Sequence, residues 1–160
     1  MKKFLSIASL TAFVVACSFE GEENATDVTG EWQHAGGNHF NEKYAPLDQI
    51  NARNFAELEI AWRWLSADSR LPQDLSYPTG DYRAVPLVVD GVMYVNTNHG
   101  QVAALDPASG EELWIFDPQS YRLGPPLFSP AQTRGIEYWT DGEIQRIFIA
   151  TLGKQLVSID

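Results

Sequence analysis

A pattern of short strands, four in its first copy and three before Asp160 in its second, repeats in the second half of this chain, and few folds accommodate that. The stretch Ala84 to Asp117, AVPLVVDGVMYVNTNHGQVAALDPASGEELWIFD, reads as an antiparallel meander. Val85 to Val89 is apolar and β-branched, and Asp90-Gly91 is the dipeptide preferred where both residues of a hairpin turn take positive φ. Val92 to Thr97 is then the return strand. Asn98-His99-Gly100 supplies the second turn, Gln101 to Leu105 the third strand, Asp106 to Gly110 a longer turn and Leu113 to Phe116 the fourth strand.

Sliding the chain by 51 residues lays Arg83-Ala84-Val85 over Arg134-Gly135-Ile136, and Asp90-Gly91 over Asp141-Gly142. With three residues inserted in the second hairpin, the offset becomes 54 and Thr97, Gln101 and Asp106 fall over Thr151, Gln155 and Asp160. A period of about 50 residues with four strands per unit is the signature of β-propeller blades. The fold class expected is all-β, a propeller fragment of about two of eight antiparallel four-stranded blades. Two blades do not close a ring, so the sequence reads as the N-terminal part of a longer protein whose second blade continues past Asp160.

Residues 1–16 read as a signal peptide: Lys2-Lys3, then an apolar core from Phe4 to Ala16 that is too short to span a membrane. The core ends in Val14-Val15-Ala16-Cys17, which resembles a lipobox, making Cys17 the lipidation candidate. A lone cysteine leaves no intramolecular disulfide framework. Residues 17–30 form an acidic tether. The chain carries 11 basic and 21 acidic side chains for a net charge of −10. An acidic surface of this kind argues against nucleic acid as a partner and leaves membrane attachment to acyl chains. The compartment implied is periplasmic.

Residues 31–83 read as a segment leading into the ring. Asn54 is placed to cap a single helical turn through Leu58. Glu59 to Trp64 alternates, with Ile60, Trp62 and Trp64 on one face, as a half-buried ring-closing strand would. His34 and His39 flank a Gly-Gly turn, where loop hydrogen bonding is a better account than a metal pair.

Several motifs then carry a resemblance: W…GGN…KYAPLDQIN…NF..L..AW from Trp32 to Trp62, VPLVVDGVMYV, AALDPASGEELW and TRGIEYW. Together they resemble the N-terminal part of the quinoprotein dehydrogenases that use pyrroloquinoline quinone (PQQ). The resemblance implies PQQ, usually with Ca²⁺, in the central channel of an eight-bladed propeller. It implies oxidation of a sugar, polyol or alcohol hydroxyl, with electrons passing to a membrane quinone or a cytochrome. The catalytic base and the Ca²⁺ ligands would lie beyond Asp160, so no catalytic or metal residue is assigned to this chain.

Three cofactor-binding candidates follow from the resemblance. Arg83 and Arg134 stand before the first strand of each repeat, and Arg134 matches the family's arginine before the RG..YW strand, where a planar guanidinium suits carboxylate or quinone oxygens. Thr151 matches a threonine that hydrogen-bonds the quinone, although its repeat mate Thr97 argues equally for a strand-end role. His99 is a substrate-facing candidate, set against a turn histidine in solvent. Arg83 stands where alcohol-oxidising members carry glutamate, and the loop from Leu123 to Thr133 lacks their cysteine pair. Both departures imply the glucose or quinate type. The alternatives are a non-catalytic propeller lipoprotein that scaffolds outer-membrane assembly and an inactive truncated product.

Overall fold

The computed structural model describes residues 30–75, 77–124 and 131–160, and among them the ordered elements are seven β-strands and four 3-10 turns. The signal segment, Cys17 and most of the tether lie outside the described residues, as does the middle of the loop from Leu123 to Thr133.

The first meander forms as its turn chemistry requires. Strands β1 (Leu87–Val89), β2 (Val92–Asn96), β3 (Val102–Leu105) and β4 (Glu112–Phe116) pair in the order β1-β2-β3-β4, every pair antiparallel. Asp90 and Gly91 both take positive φ, 50° and 74°, which matches the turn to the twist of the flanking strands. At the β3–β4 turn, the Asp106 carboxylate accepts from Ala108 N, Ser109 N and Ser109 Oγ. The bonds from Ser109, backbone first, hold that carboxyl below the ordinary aspartate range.

The second sheet contains β5 (Ile136–Thr140), β6 (Gln145–Ala150) and β7 (Leu156–Ile159), in that order and also antiparallel. Its β6–β7 ladder repeats β2–β3 at an offset of 54: Asn96 faces Val102 and Ala150 faces Leu156. Across the hairpin the offset differs from expectation. Leu87 pairs with Tyr94, but the partner of Phe148 is Glu137, so β5 follows β1 by 50 residues rather than 51. The longer hairpin absorbs four residues, not three. A slip of one residue exchanges the faces of a strand, and this one places Ile136 and Tyr138 toward the first sheet.

That choice builds the core. Leu87, Val89 and Val102 of the first sheet pack with Ile136, Tyr138, Ile147 and Ile149 of the second, flanked by Tyr94, Phe116, Val157 and Ile159. Tyr94 packs on the core between the sheets, whereas its repeat equivalent Phe148 does not, so the front of the first sheet meets the back of the second, as neighbouring blades around an axis do. Burial of side chains this size contributes about 1.5–3 kcal/mol apiece.

The leading segment clamps this pair. Trp32 and Val88 exchange two backbone hydrogen bonds at 2.8 and 3.0 Å, and His34 Nδ1 lies 2.5 Å from Glu137 Oε1 on β5. Glu59 to Trp64 forms no ladder. Its alternation turns two indoles toward the first sheet, where Trp62 Nε1 donates to Pro107 O and Trp64 Nε1 to Glu112 Oε2. The segment is held by side chains and stays extended without a strand partner. Asn54 precedes the 3-10 turn Phe55–Glu57 but does not cap it. Its side chain instead accepts from Asn51 N and donates to Gln49 O, serving the turn before.

Candidate functional site

The polypeptide enters the two sheets along neighbouring paths. Thr79 and Ala131 form a parallel bridge: Ala131 N donates to Pro78 O at 2.7 Å and Gly80 N to Ala131 O at 3.1 Å. Gln132 Nε2 extends the contact by donating to Asp81 O. Residues 78–81 and 131–132 therefore run side by side, in the same direction, into β1 and β5. Arg83 and Arg134 follow directly on those paths, and both are exposed.

Arg83 Nη2 lies 3.3 Å from Asp81 Oδ2, a solvent-facing pair that uses one of the five guanidinium N–H donors. The 50-residue spacing of β5 from β1 makes Arg134 the counterpart of Ala84 rather than of Arg83. The two arginines are adjacent positions in the repeat, not identical ones, while their backbones enter the sheets on adjoining paths.

Thr151 and Thr97 do the same job in their two turns. Thr97 N donates to Gln101 O and Thr151 N to Gln155 O, each at 2.9 Å, and each threonine Oγ1 accepts from the glutamine N. Both are buried, at 2% and 8% exposure. A β-branched hydroxyl at the end of β2 or β6 closes its own turn, which accounts for the repeat of threonine at this place. In each case the hydroxyl proton is not used by that bond.

His99 is enclosed, not solvated, with 1% exposure. Its Nε2 accepts from Tyr77 N at 3.1 Å, which requires that nitrogen to carry no proton and leaves the proton on Nδ1. Nδ1 faces Asp68 Oδ2 at 3.1 Å, off the line of a well-formed hydrogen bond, and His99 N donates to the same oxygen at 3.3 Å. Ser120 Oγ donates to His99 O. The NHGQ turn is thereby packed beneath the 3-10 turn Ala67–Arg70 and the chain at Tyr77, the physical reason it does not reach solvent.

Asp68, Tyr77, Asn96 and Thr133 were not visible as a group in the sequence. They come from four separate segments, and no local periodicity links them. Tyr82, on the path into β1, is about half exposed, and the partial desolvation of its phenol raises the pKa. A cavity of about 470 Å³ opens between the sheets, where Tyr94 and Trp114 meet at 5.8 Å between ring centres. Among the described residues, no group of three His, Cys, Asp or Glu converges as a metal would require.

Comparison with known proteins places these features. The family described as "PQQ: Glucose/ethanol/alcohol dehydrogenase, beta-propeller domain" matches residues 32–160. The dehydrogenase subunit of alcohol dehydrogenase (quinone) from Gluconobacter oxydans (strain 621H) is 31% identical over 99% of this chain and 21% of its own length. The crystal structure of quinohemoprotein alcohol dehydrogenase from Comamonas testosteroni superposes with a TM-score of 0.63 at 28% identity, covering 84% of this chain and 18% of that one. A europium-containing methanol dehydrogenase gives 0.57 at 28% identity, over 84% of this chain and 22% of its own. The chain thus spans about a fifth of the length of these relatives.

Proposed function

Because the chain belongs to the β-propeller domain family of PQQ-type glucose, ethanol and alcohol dehydrogenases, we propose that the complete protein oxidises an alcohol hydroxyl with PQQ and passes the electrons to a membrane quinone or a cytochrome. The observation that carries this reading is the pair of parallel paths that lead Arg83 and Arg134 into neighbouring blades. Relatives and solved neighbours alike are named for alcohols, so the glucose or quinate type inferred from Arg83 and the missing cysteine pair has no support from them.

The residues present fit such a group in part. PQQ is an anionic, carboxylated ring, and exposed guanidinium groups are planar donors that remain charged at any working pH. Arg134 and Arg83 would hold its carboxylate or quinone oxygens. Thr151 has a hydroxyl proton left to donate, although its oxygen already closes the turn. When bound, PQQ supplies the two-electron acceptor, and a divalent cation such as Ca²⁺ polarises it.

The chain's own contribution is positional. The backbone bonds between residues 78–81 and 131–132 fix the spacing of the two arginines' backbones before any ligand arrives, which lowers the ordering cost of binding. The core between the sheets keeps that spacing rigid. We also take the N-terminal segment as a signal that anchors the protein by lipid at Cys17, in the periplasm.

The test is to produce the complete protein, add PQQ with Ca²⁺ and follow dye reduction with ethanol, glucose and quinate. Ethanol-dependent reduction that requires PQQ supports the reading. Neither quinone retention nor dye reduction with any of the three would overturn it.

A further inference from the structure

Arg134 is the exposed end of an anchored run. Ala131 is held by its bridge to Thr79, Gln132 Nε2 donates to Asp81 O, and Thr133 is buried. Ile136, just past Gly135, is buried in the core between the sheets. Arg134-Gly135 thus spans two buried anchors, and among the described residues Arg134 forms no ion pair. Arg83 is held less closely. Tyr82 before it is half exposed, the ties on its path end at Gly80 O and Asp81 O, and its guanidinium is already paired with Asp81.

The anchor before Arg134 is directional. Thr97 O can only accept, so Thr133 Oγ1 donates to it, and the hydroxyl oxygen in turn accepts from Asn96 Nδ2 at 2.7 Å. Asn96 Nδ2 also reaches Thr97 O at 3.5 Å, which closes the contacts into a ring. A β-branched side chain is stiff at its first torsion, and a hydroxyl that both donates and accepts holds it in one rotamer. Fixing that rotamer against the end of β2 fixes the Cα of Thr133, and the peptide that follows carries Arg134.

Packing alone does not call for such an anchor. Asn96 and Thr133 are 1% and 4% exposed, and apolar side chains at both positions would fill the space without desolvating an amide and a hydroxyl. Apolar contact is non-directional and tolerates sliding, whereas a hydrogen bond specifies distance and angle. The polar seam adds precision here, one residue before a charged group that faces solvent.

We propose that Thr133, oriented by Asn96, is the positioning residue for Arg134 and holds the backbone from which its guanidinium meets an anionic, carboxylated ligand. The inference rests on the reading of Arg134 as a contact to the quinone. Thr133 touches no ligand itself, and its effect passes through Arg134. Without the anchor the arginine must be ordered when the ligand arrives, and binding weakens by that cost. Arg83 leaves by its own path and is not served by this contact.

The complete protein is titrated with PQQ in the presence of Ca²⁺, with quinone affinity and urea midpoint read side by side. Thr133→Val should weaken the affinity about fivefold, and Thr133→Ser, which keeps the hydroxyl, should bind within about twofold of wild type. In an Arg134→Gln background, Thr133→Val should lower the urea midpoint as before yet cost no further quinone affinity, while in Arg83→Gln its full effect on affinity should persist. Asn96→Ala, which removes one partner of the hydroxyl, decides the matter by the same cycle if Thr133→Val does not fold. Quinone affinity unchanged in the anchor variant, or lowered equally with and without Arg134, overturns the positioning role and leaves the quinone reading standing. Wild type that binds no quinone overturns both.

Discussion

Asn96, at the end of β2, donates through Nδ2 to Thr133 Oγ1 at 2.7 Å across the seam between the two sheets. Thr133 passes the contact on to Thr97 O, so one buried hydroxyl ties a strand end of the first sheet to the path into the second. Thr133→Val keeps the volume and removes both bonds. It is expected to cost about 1–3 kcal/mol, the penalty for buried groups left unpaired. Urea unfolding would register this as a lower midpoint at unchanged slope. An unmoved midpoint would show that the seam is held by its apolar side chains alone.

Gly110 closes the β3–β4 turn at φ +73°, and a Cβ there would stand 2.4 Å from Trp62 Cε3. Gly110→Ala therefore combines a left-handed backbone cost of about 1–2 kcal/mol with expulsion of the indole. The Trp62 Nε1 bond to Pro107 O should be lost, visible as a shifted indole N–H resonance and red-shifted emission. A variant with wild-type stability and an unchanged indole signal would contradict the packing described.

Glu112 receives Arg70 through both guanidinium nitrogens and Trp64 Nε1 at 3.1 Å. The Arg70 bond, foremost, holds its carboxyl below the ordinary glutamate range. A folded-state pKa below the unfolded one contributes stability above the unfolded value, about 4.3, and loses it as pH falls through the depressed folded value. The pair is partly exposed, so the effect is about 0.2–1 kcal/mol. Glu112→Gln should flatten the acid limb of stability below about pH 4.3 and raise hydrogen exchange around the 3-10 turn Ala67–Arg70. Superimposable acid limbs for variant and wild type would remove the pair from the account.

How much of this was legible in the sequence depends on distance along the chain. The Asp90-Gly91 turn and the meander it starts were readable because turn dipeptides and period-two alternation are local. The hairpin of the second sheet was read one residue out of register, because an insertion in a loop carries no mark of where the ladder resumes. Glu59 to Trp64 has a strand's alternation, yet its indoles find partners at Pro107 and Glu112, more than forty residues away. The burial of His99 was not legible, since it arises where a loop settles on a finished sheet.

Cys17 is expected to carry the lipid anchor. Labelled palmitate should enter the wild-type chain expressed in a bacterial host, and Cys17→Ser should release the label and the protein into the soluble periplasmic fraction. Labelling that persists in the variant would exclude Cys17 as the site.

The reading of this chain as part of a quinone enzyme stands on Arg83 and Arg134. The most direct measurement is PQQ retained by the complete protein after gel filtration, read from the quinone absorbance, for wild type, Arg83→Gln and Arg134→Gln. The account predicts stoichiometric retention by wild type and affinity lowered on the order of tenfold by Arg134→Gln, the loss of one charge-assisted bond. Wild type that retains no quinone, or both variants retaining it as well as wild type, would contradict it.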